Sequence, residues 1–140
     1  MHPVKFAQSE KEINACWDVV HTLRPHLEKK DYLQQVKDMQ QEGYHMLYIA
    51  DNDTVAAFAG YRNLYSLFAG RFIYVDDLCT LPAFRGKGYA GALLDYIHAL
   101  ARETGKTSVI LDSGFTLHDA HRLYLNKGFR LAAHHFSLKF

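Results

Sequence analysis

The stretch from Phe72 to Glu103 limits the fold of this chain more than any other. Strand-favouring residues Phe72 to Thr80 lead, through Arg85-Gly86-Lys87-Gly88-Tyr89-Ala90, into a segment of helical periodicity. A glycine-rich turn that opens a helix presents free backbone N–H groups at the positive end of the helix dipole, an arrangement that binds phosphate. Glycine permits positive φ and close approach of the backbone to a ligand, and Arg85 and Lys87 can add charge-assisted hydrogen bonds. Read by itself, the loop fits an ordinary strand-to-helix turn with solvated cations equally well.

At 140 residues the chain is long enough for one core and too short for two ordinary domains, so a single domain over residues 1–140 is expected. Hydrophobic residues at 49% and charged residues at 22% fit a folded protein rather than a disordered one. Val4 to Ala7 reads as a strand, and Ser9 with Glu12 as a capping box that opens a helix. Ile13, Cys16, Trp17, Val20 and Leu23 form one apolar stripe on that helix, which ends before Pro25. A second helix is capped by Asp31, carries Leu33, Val36 and Met39 on one face, and stops at Gly43.

Met46 to Ala50 and Thr54 to Tyr61 flank Asp51-Asn52-Asp53 and read as an antiparallel hairpin. Leu64 to Phe68, a turn at Ala69-Gly70, and Phe72 to Thr80 extend the sheet. Leu93, Tyr96, Ile97, Leu100 and Ala101 repeat at helical spacing up to Gly105, and Ser108 to Asp112 reads as a strand. Asp119 to Lys127 reads as a helix stopped at Gly128, and Leu131 to Phe140 as a closing strand. The resulting order is β-α-α-β-β-β-α-β-α-β, an α/β chain.

Gly86, Gly88 and Gly91 also match the dinucleotide fingerprint G-x-G-x-x-G, with Asp112 placed to grip a ribose. That turn normally follows its strand at once, whereas Leu81-Pro82-Ala83-Phe84 intervene, and too little chain remains for a doubly wound sheet. A P-loop is excluded because Gly88 stands where a magnesium-ligating Ser or Thr is needed after Lys87.

The spacing R-x-x-G-x-A, as Arg85, Gly88 and Ala90, resembles the pyrophosphate loop of the GNAT superfamily of N-acetyltransferases. Ala120 to Phe129 resembles that family's A-x-x-x-Y-x-x-x-G-F segment, and the element order matches its fold, a mixed, mostly antiparallel sheet flanked by helices. Leu111 to Gly114, His118 to His121 and the His135-Phe136 ending are similar to small bacterial members, including aminoalkylphosphonate acetyltransferases. Leu117 departs from the pattern, since many members have an Asn there that contacts the pantetheine arm.

The resemblance implies acetyl-CoA as co-substrate, with its diphosphate on Arg85, Gly86, Lys87, Gly88, Tyr89 and Ala90. It also implies that the pantetheine arm lies along backbone groups of Leu78, Cys79 and Thr80, and that Tyr124 is the general acid. A phenol of ordinary pKa near roughly 10 can protonate a thiolate whose thiol pKa is nearer 8.5. Without the motif, Tyr124 between Leu123 and Leu125 would read as a core aromatic.

Asp76 and Asp77 interrupt an apolar strand, where burial without partners is costly. Strict alternation sends the two carboxylates to opposite faces, so they do not share a proton. Counting from the loop puts Asp76 nearest the family's general-base position, although a strand bulge would exchange the two. Either can instead be a structural acid paired with Arg62 or Arg71, or an anchor for the substrate ammonium.

The histidines, including His118, His121, His134 and His135, match no metal-binding spacing, so no metal is expected. Cys79 on an apolar strand is a poor nucleophile, and Cys16 and Cys79 are too few for a disulfide framework. A net charge of +1 argues against a nucleic-acid partner. Met1 to Gln8 lack the apolar run of a signal peptide or membrane span, which leaves the cytoplasm as the expected location. Exposed sheet edges admit a homodimer. The expected activity is acetyl transfer from acetyl-CoA to a small primary amine by direct attack. A non-catalytic acyl-CoA-binding module and a dinucleotide-dependent oxidoreductase are its rivals.

Overall fold

The computed structural model describes residues 2–140, so Met1, the first residue of the expected domain range, lies outside them. Ser9 caps the first helix as the sequence requires: its side chain accepts from the Glu12 N–H, and Glu12 reaches back to the Ser9 N–H at 3.1 Å. The single helix expected from the apolar stripe is broken at Cys16 into α1 (Glu10–Ala15) and α2 (Trp17–Leu23). Ile13, Cys16 and Val20 of the stripe remain buried, Trp17 and Leu23 are partly buried, and Val19 is buried beside them. After it, α3 (Lys29–Gln41) presents Tyr32 and Val36 to the same core. Its N-cap is Glu28, without a side-chain bond, so Asp31 sits within the first turn rather than at the cap.

The strands β1 (Lys5–Phe6), β2 (Tyr44–Asp51), β3 (Thr54–Ser66), β4 (Gly70–Thr80) and β5 (Ser108–Leu111) form one sheet in that spatial order. All neighbours are antiparallel except β4 and β5, which run parallel. Asn52, at φ 56°, makes the turn between β2 and β3. The apolar run of residues 54–68 forms one continuous strand to Ser66 rather than two pieces.

Helices cover both faces of the sheet. Ile13, Cys16, Val19, Tyr32 and Val36 pack on Tyr44, Met46, Tyr48 and Phe58. On the opposite face, α4 (Tyr89–Glu103) packs Leu93, Ile97 and Ala101 against Leu47, Ala57, Ile73 and Val75. The last helix, α5 (His118–Asn126), ends where Gly128, at φ 94°, lets the Phe129 N–H return to the Tyr124 carbonyl.

Among the described residues no strand follows α5, so the closing strand expected over Leu131 to Phe140 is not formed. Leu131, Phe136, Leu138 and Phe140 are exposed there. Alternating apolar residues favour a strand only where a ladder partner meets them, and the four-residue β5 pairs with β4 alone.

Candidate active site

Two features of β4 shape the cleft beside it. Its pairing with β5 runs only from Phe72↔Ser108 to Val75↔Leu111, so the edge of β4 beyond Val75 has no strand partner on that side. Its register with β3 shifts between Gly60↔Asp77 and Tyr61↔Val75, which leaves Asp76 as the extra residue of a β-bulge.

The bulge corrects the expectation that the two carboxylates point to opposite faces. Both find partners on the Tyr44 side of the sheet. Asp77 Oδ1 accepts from Arg24 Nη2 at 2.9 Å and Nε at 3.2 Å, and its Oδ2 accepts from the Tyr44 hydroxyl at 2.7 Å. Asp76 Oδ2 accepts from Arg62 Nε at 2.8 Å, and the Arg62 guanidinium lies 5.6 Å from the centre of the Tyr44 ring. Arg24 also donates to the Asp76 carbonyl at 3.0 Å, so one guanidinium holds both residues of the bulge.

The two acids are therefore chemically unlike. Asp77 has both oxygens engaged by protein donors, whereas Asp76 Oδ1 has no protein partner among the described residues. Burial pushes the Asp76 carboxyl above the ordinary carboxylate value, and the Arg62 guanidinium partly offsets this. Arg62 was one of the two partners anticipated from sequence; Arg71 instead stacks its guanidinium 4.1 Å from the Tyr65 ring centre. Arg24 and Tyr44 were missed. Arg24 had only the signature of a helix end before Pro25, and a contact with β4 across 53 positions leaves no local trace.

Beyond Thr80, a short 3-10 turn (Pro82–Phe84) leads to the glycine loop. Gly86 and Gly88 have φ of 81° and 84°, conformations that any other residue adopts only under strain. Gly88 is the N-cap of α4 and supplies no side chain, and the first helical hydrogen bond runs from Ala92 to Gly88. The N–H groups of residues 86–91 consequently have no acceptor among the described residues. Free N–H groups at the positive end of a helix are an arrangement able to bind an anion.

Around this loop the side chains divide. Tyr89 is buried and its hydroxyl donates to Asp51 at 2.5 Å, so its side chain is already engaged within the fold. Lys87 leans the same way, 3.5 Å from Asp51 and 5.1 Å from the centre of the Phe84 ring. Arg85 makes no ion pair among the described residues, and its positive charge is felt at Cys79. Burial nonetheless raises the Cys79 thiol, which leaves it a poor nucleophile.

Tyr124 lies on α5 with its ring edge-on to Phe129, the centroids 5.8 Å apart. Burial raises its phenol above the ordinary value, and the Ser113 hydroxyl acts against that rise. Gly91, in the first turn of α4, is crossed by the Lys127 side chain, which bonds Asp95 at 2.9 Å and ties the end of α5 to α4. Among the described residues no group of three or more His, Cys, Asp or Glu could hold a metal ion, and no helix is long and apolar enough to cross a membrane.

Residues 9–129 match the model of the acetyltransferase (GNAT) family, a span that includes the bulge, the glycine loop and Tyr124. The chain belongs to the GNAT family. It is 33% identical, over 95% of both chains, to YhdJ, an uncharacterized N-acetyltransferase of Bacillus subtilis (strain 168). The GNAT fold is shared with an acetyltransferase of Trypanosoma brucei at TM-score 0.82 and 18% identity, with all of both chains covered. It is shared equally with AAC(6')-Iy in complex with the bisubstrate analogue CoA-S-monomethyl-acetylneamine, at TM-score 0.85 and 12% identity over 100% of this chain and 98% of that one.

Proposed function

We propose that this GNAT chain is a single acyl-CoA N-acyltransferase domain that transfers the acetyl group of acetyl-CoA to the primary amine of a small molecule, by direct attack within a ternary complex. The observation that carries the reading is the run of unpaired N–H groups at residues 86–91, set at the end of a strand whose own edge is open past Val75. An anionic diphosphate fits the first and an amide-bearing arm fits the second, and CoA contains both in sequence. The name of AAC(6')-Iy's ligand, a CoA bisubstrate analogue, supports the same choice of co-substrate.

On this reading Arg85, Gly86, Lys87, Gly88, Tyr89 and Ala90 hold the diphosphate, chiefly through main-chain N–H groups. Leu78, Cys79 and Thr80 offer backbone groups to the arm, and one of their N–H groups polarises the thioester carbonyl. Asp76 supplies the carboxylate that receives the ammonium and takes its proton, directly or through water, since Asp77 is fully occupied by Arg24 and Tyr44. The amine nitrogen attacks the thioester carbon, the C–S bond breaks, and Tyr124 protonates the departing thiolate. The absence among the described residues of a membrane-crossing helix is in keeping with a cytoplasmic enzyme.

Incubation with acetyl-CoA and a panel of small amines, followed by release of CoA thiol and mass spectrometry of products, tests the proposal. Acetylated amine with stoichiometric thiol is the expected result. Thermal stabilisation by NADH and not by CoA would overturn it, and CoA binding without turnover on any amine would reduce the chain to an acyl-CoA-binding module.

A further inference from the structure

Gly91 is a glycine that the open loop does not explain. Its φ is not positive, unlike that of Gly86 and Gly88, and inside a helix glycine is less favourable than alanine. What a side chain there would meet is the end of α5: a Cβ at Gly91 would lie 3.3 Å from Lys127 Cε, 3.5 Å from its Nζ and 4.0 Å from Leu123 Cδ1. Gly91 and Asp95 share one face of α4, and along that face the Lys127 ammonium meets both Asp95 oxygens, at 2.9 Å and 3.0 Å. On the next turn His98 packs on Phe129, the ring centroids 5.2 Å apart. No residue of α5 is fully buried, so these few contacts place the helix. Both reach Tyr124, since the Lys127 N–H donates to its carbonyl at 3.1 Å and Phe129 lies edge-on to its ring.

We propose that Asp95 and Lys127 are positioning residues, whose ion pair across Gly91 sets the Tyr124 phenol at its working distance from the cofactor held at the head of α4. The inference rests on the acetyl-transfer reading, in which Tyr124 protonates the departing thiolate and residues 86–91 hold the diphosphate. Those two duties fall on different helices, and the Asp95–Lys127 pair is the one ion pair that joins them among the described residues. Proton transfer needs donor and acceptor within hydrogen-bond reach, and a misplacement of about 1 Å can cost on the order of a hundredfold in rate. The Asp95 side chain is 61% exposed and that of Lys127 28%, so the pair adds little to global stability. What it fixes is where α5 lies on α4, and the bare face of Gly91 is the passage that lets Lys127 cross.

Two readouts on the full chain test this. Lys127→Met keeps an unbranched stem over Gly91 and removes the ammonium, whereas Lys127→Arg keeps a cation. With an accepted amine, Lys127→Met and Asp95→Ala should each lower kcat about tenfold, with KM for acetyl-CoA unchanged and the unfolding temperature moved by less than about 4 °C, and Lys127→Arg should recover kcat. In a Tyr124→Phe background Lys127→Met should cost nothing further, because the pair acts through that phenol. An unchanged kcat in Lys127→Met, or losses that add fully to those of Tyr124→Phe, overturns the proposal. Tyrosine labelled with 13C at Cζ gives a readout without turnover: the NMR signal lost in Tyr124→Phe identifies Tyr124, and that signal should move in Lys127→Met and return in Lys127→Arg. An unmoved signal overturns the positioning role. A moved signal in a protein that acetylates no amine upholds the placement and overturns the functional reading instead.

Discussion

The Tyr44 phenol lies across Gly60 and donates to Asp77 Oδ2 at 2.7 Å, joining β2 to β4 over the strand between them. The cross-link fixes one acid of the bulge and leaves its neighbour, Asp76, with a free oxygen. On the proposed reading, structural and chemical duties are thus separated between adjacent residues of the same type.

That separation is measurable. Asp77→Ala leaves the buried Tyr44 hydroxyl without an acceptor and the Arg24 guanidinium with the Asp76 carbonyl alone, and should cost about 2 kcal/mol of stability once the partial exposure of Arg24 is discounted. Asp76→Asn should change stability by less than about 1 kcal/mol while lowering kcat roughly a hundredfold. Urea unfolding and steady-state kinetics on both variants distinguish the roles; equal stability losses would contradict the assignment.

Gly60 has no room for a side chain. A Cβ there would lie 2.0 Å from the Tyr44 hydroxyl oxygen, and the Tyr44 ring is held by Arg62 and Asp77. Gly60→Ala should therefore destabilise the fold by about 2 kcal/mol. Thermal unfolding reads this directly, and a neutral substitution would mean that Tyr44 is free to swing aside.

On the proposed reading, charge and backbone conformation in the glycine loop contribute separately to CoA binding. Arg85→Ala should weaken binding about threefold to tenfold, with a smaller effect at high salt. Gly88→Ala should weaken it at every salt concentration, because φ of 84° strains an alanine and tilts the N–H groups of the first turn. Calorimetric titration with CoA at two ionic strengths checks both.

Glu12 gives stability a defined acid limit. The Ser9 N–H, and then the Tyr48 hydroxyl at 3.0 Å, hold its carboxyl below the ordinary 4.5. A folded-state pKa below the unfolded one contributes stability above the unfolded value, lost as pH falls through the folded one. Asp76, raised by burial, has the opposite sign: its contribution is present at low pH and lost as pH rises through its folded value. Unfolding free energies from about pH 3 to about 6 should fall toward acid in the natural protein and fall less in Glu12→Gln.

Several local signals in the sequence match the structure. The capping box at Ser9, the turn at Asn52, the positive-φ glycines that open α4 and the amphipathic face of α4 each depend on neighbours within a few residues. Strict alternation through Asp76 and Asp77 failed because a bulge depends on the partner strand, and its pinning by Arg24 comes from a distant helix. The engagement of Lys87 and Tyr89 by Asp51 arises from tertiary packing alone. The alternating residues Phe136 to Phe140 show the converse, a strand pattern without a ladder to join.

Amide NMR of the 15N-labelled protein titrated with CoA tests the central claim most directly. The account predicts that the N–H signals of residues 86–91 shift downfield as they acquire phosphate acceptors, together with those of Leu78 to Thr80 along the open edge of β4. Shifts confined to other surfaces, with these two segments unmoved at saturation, would contradict it.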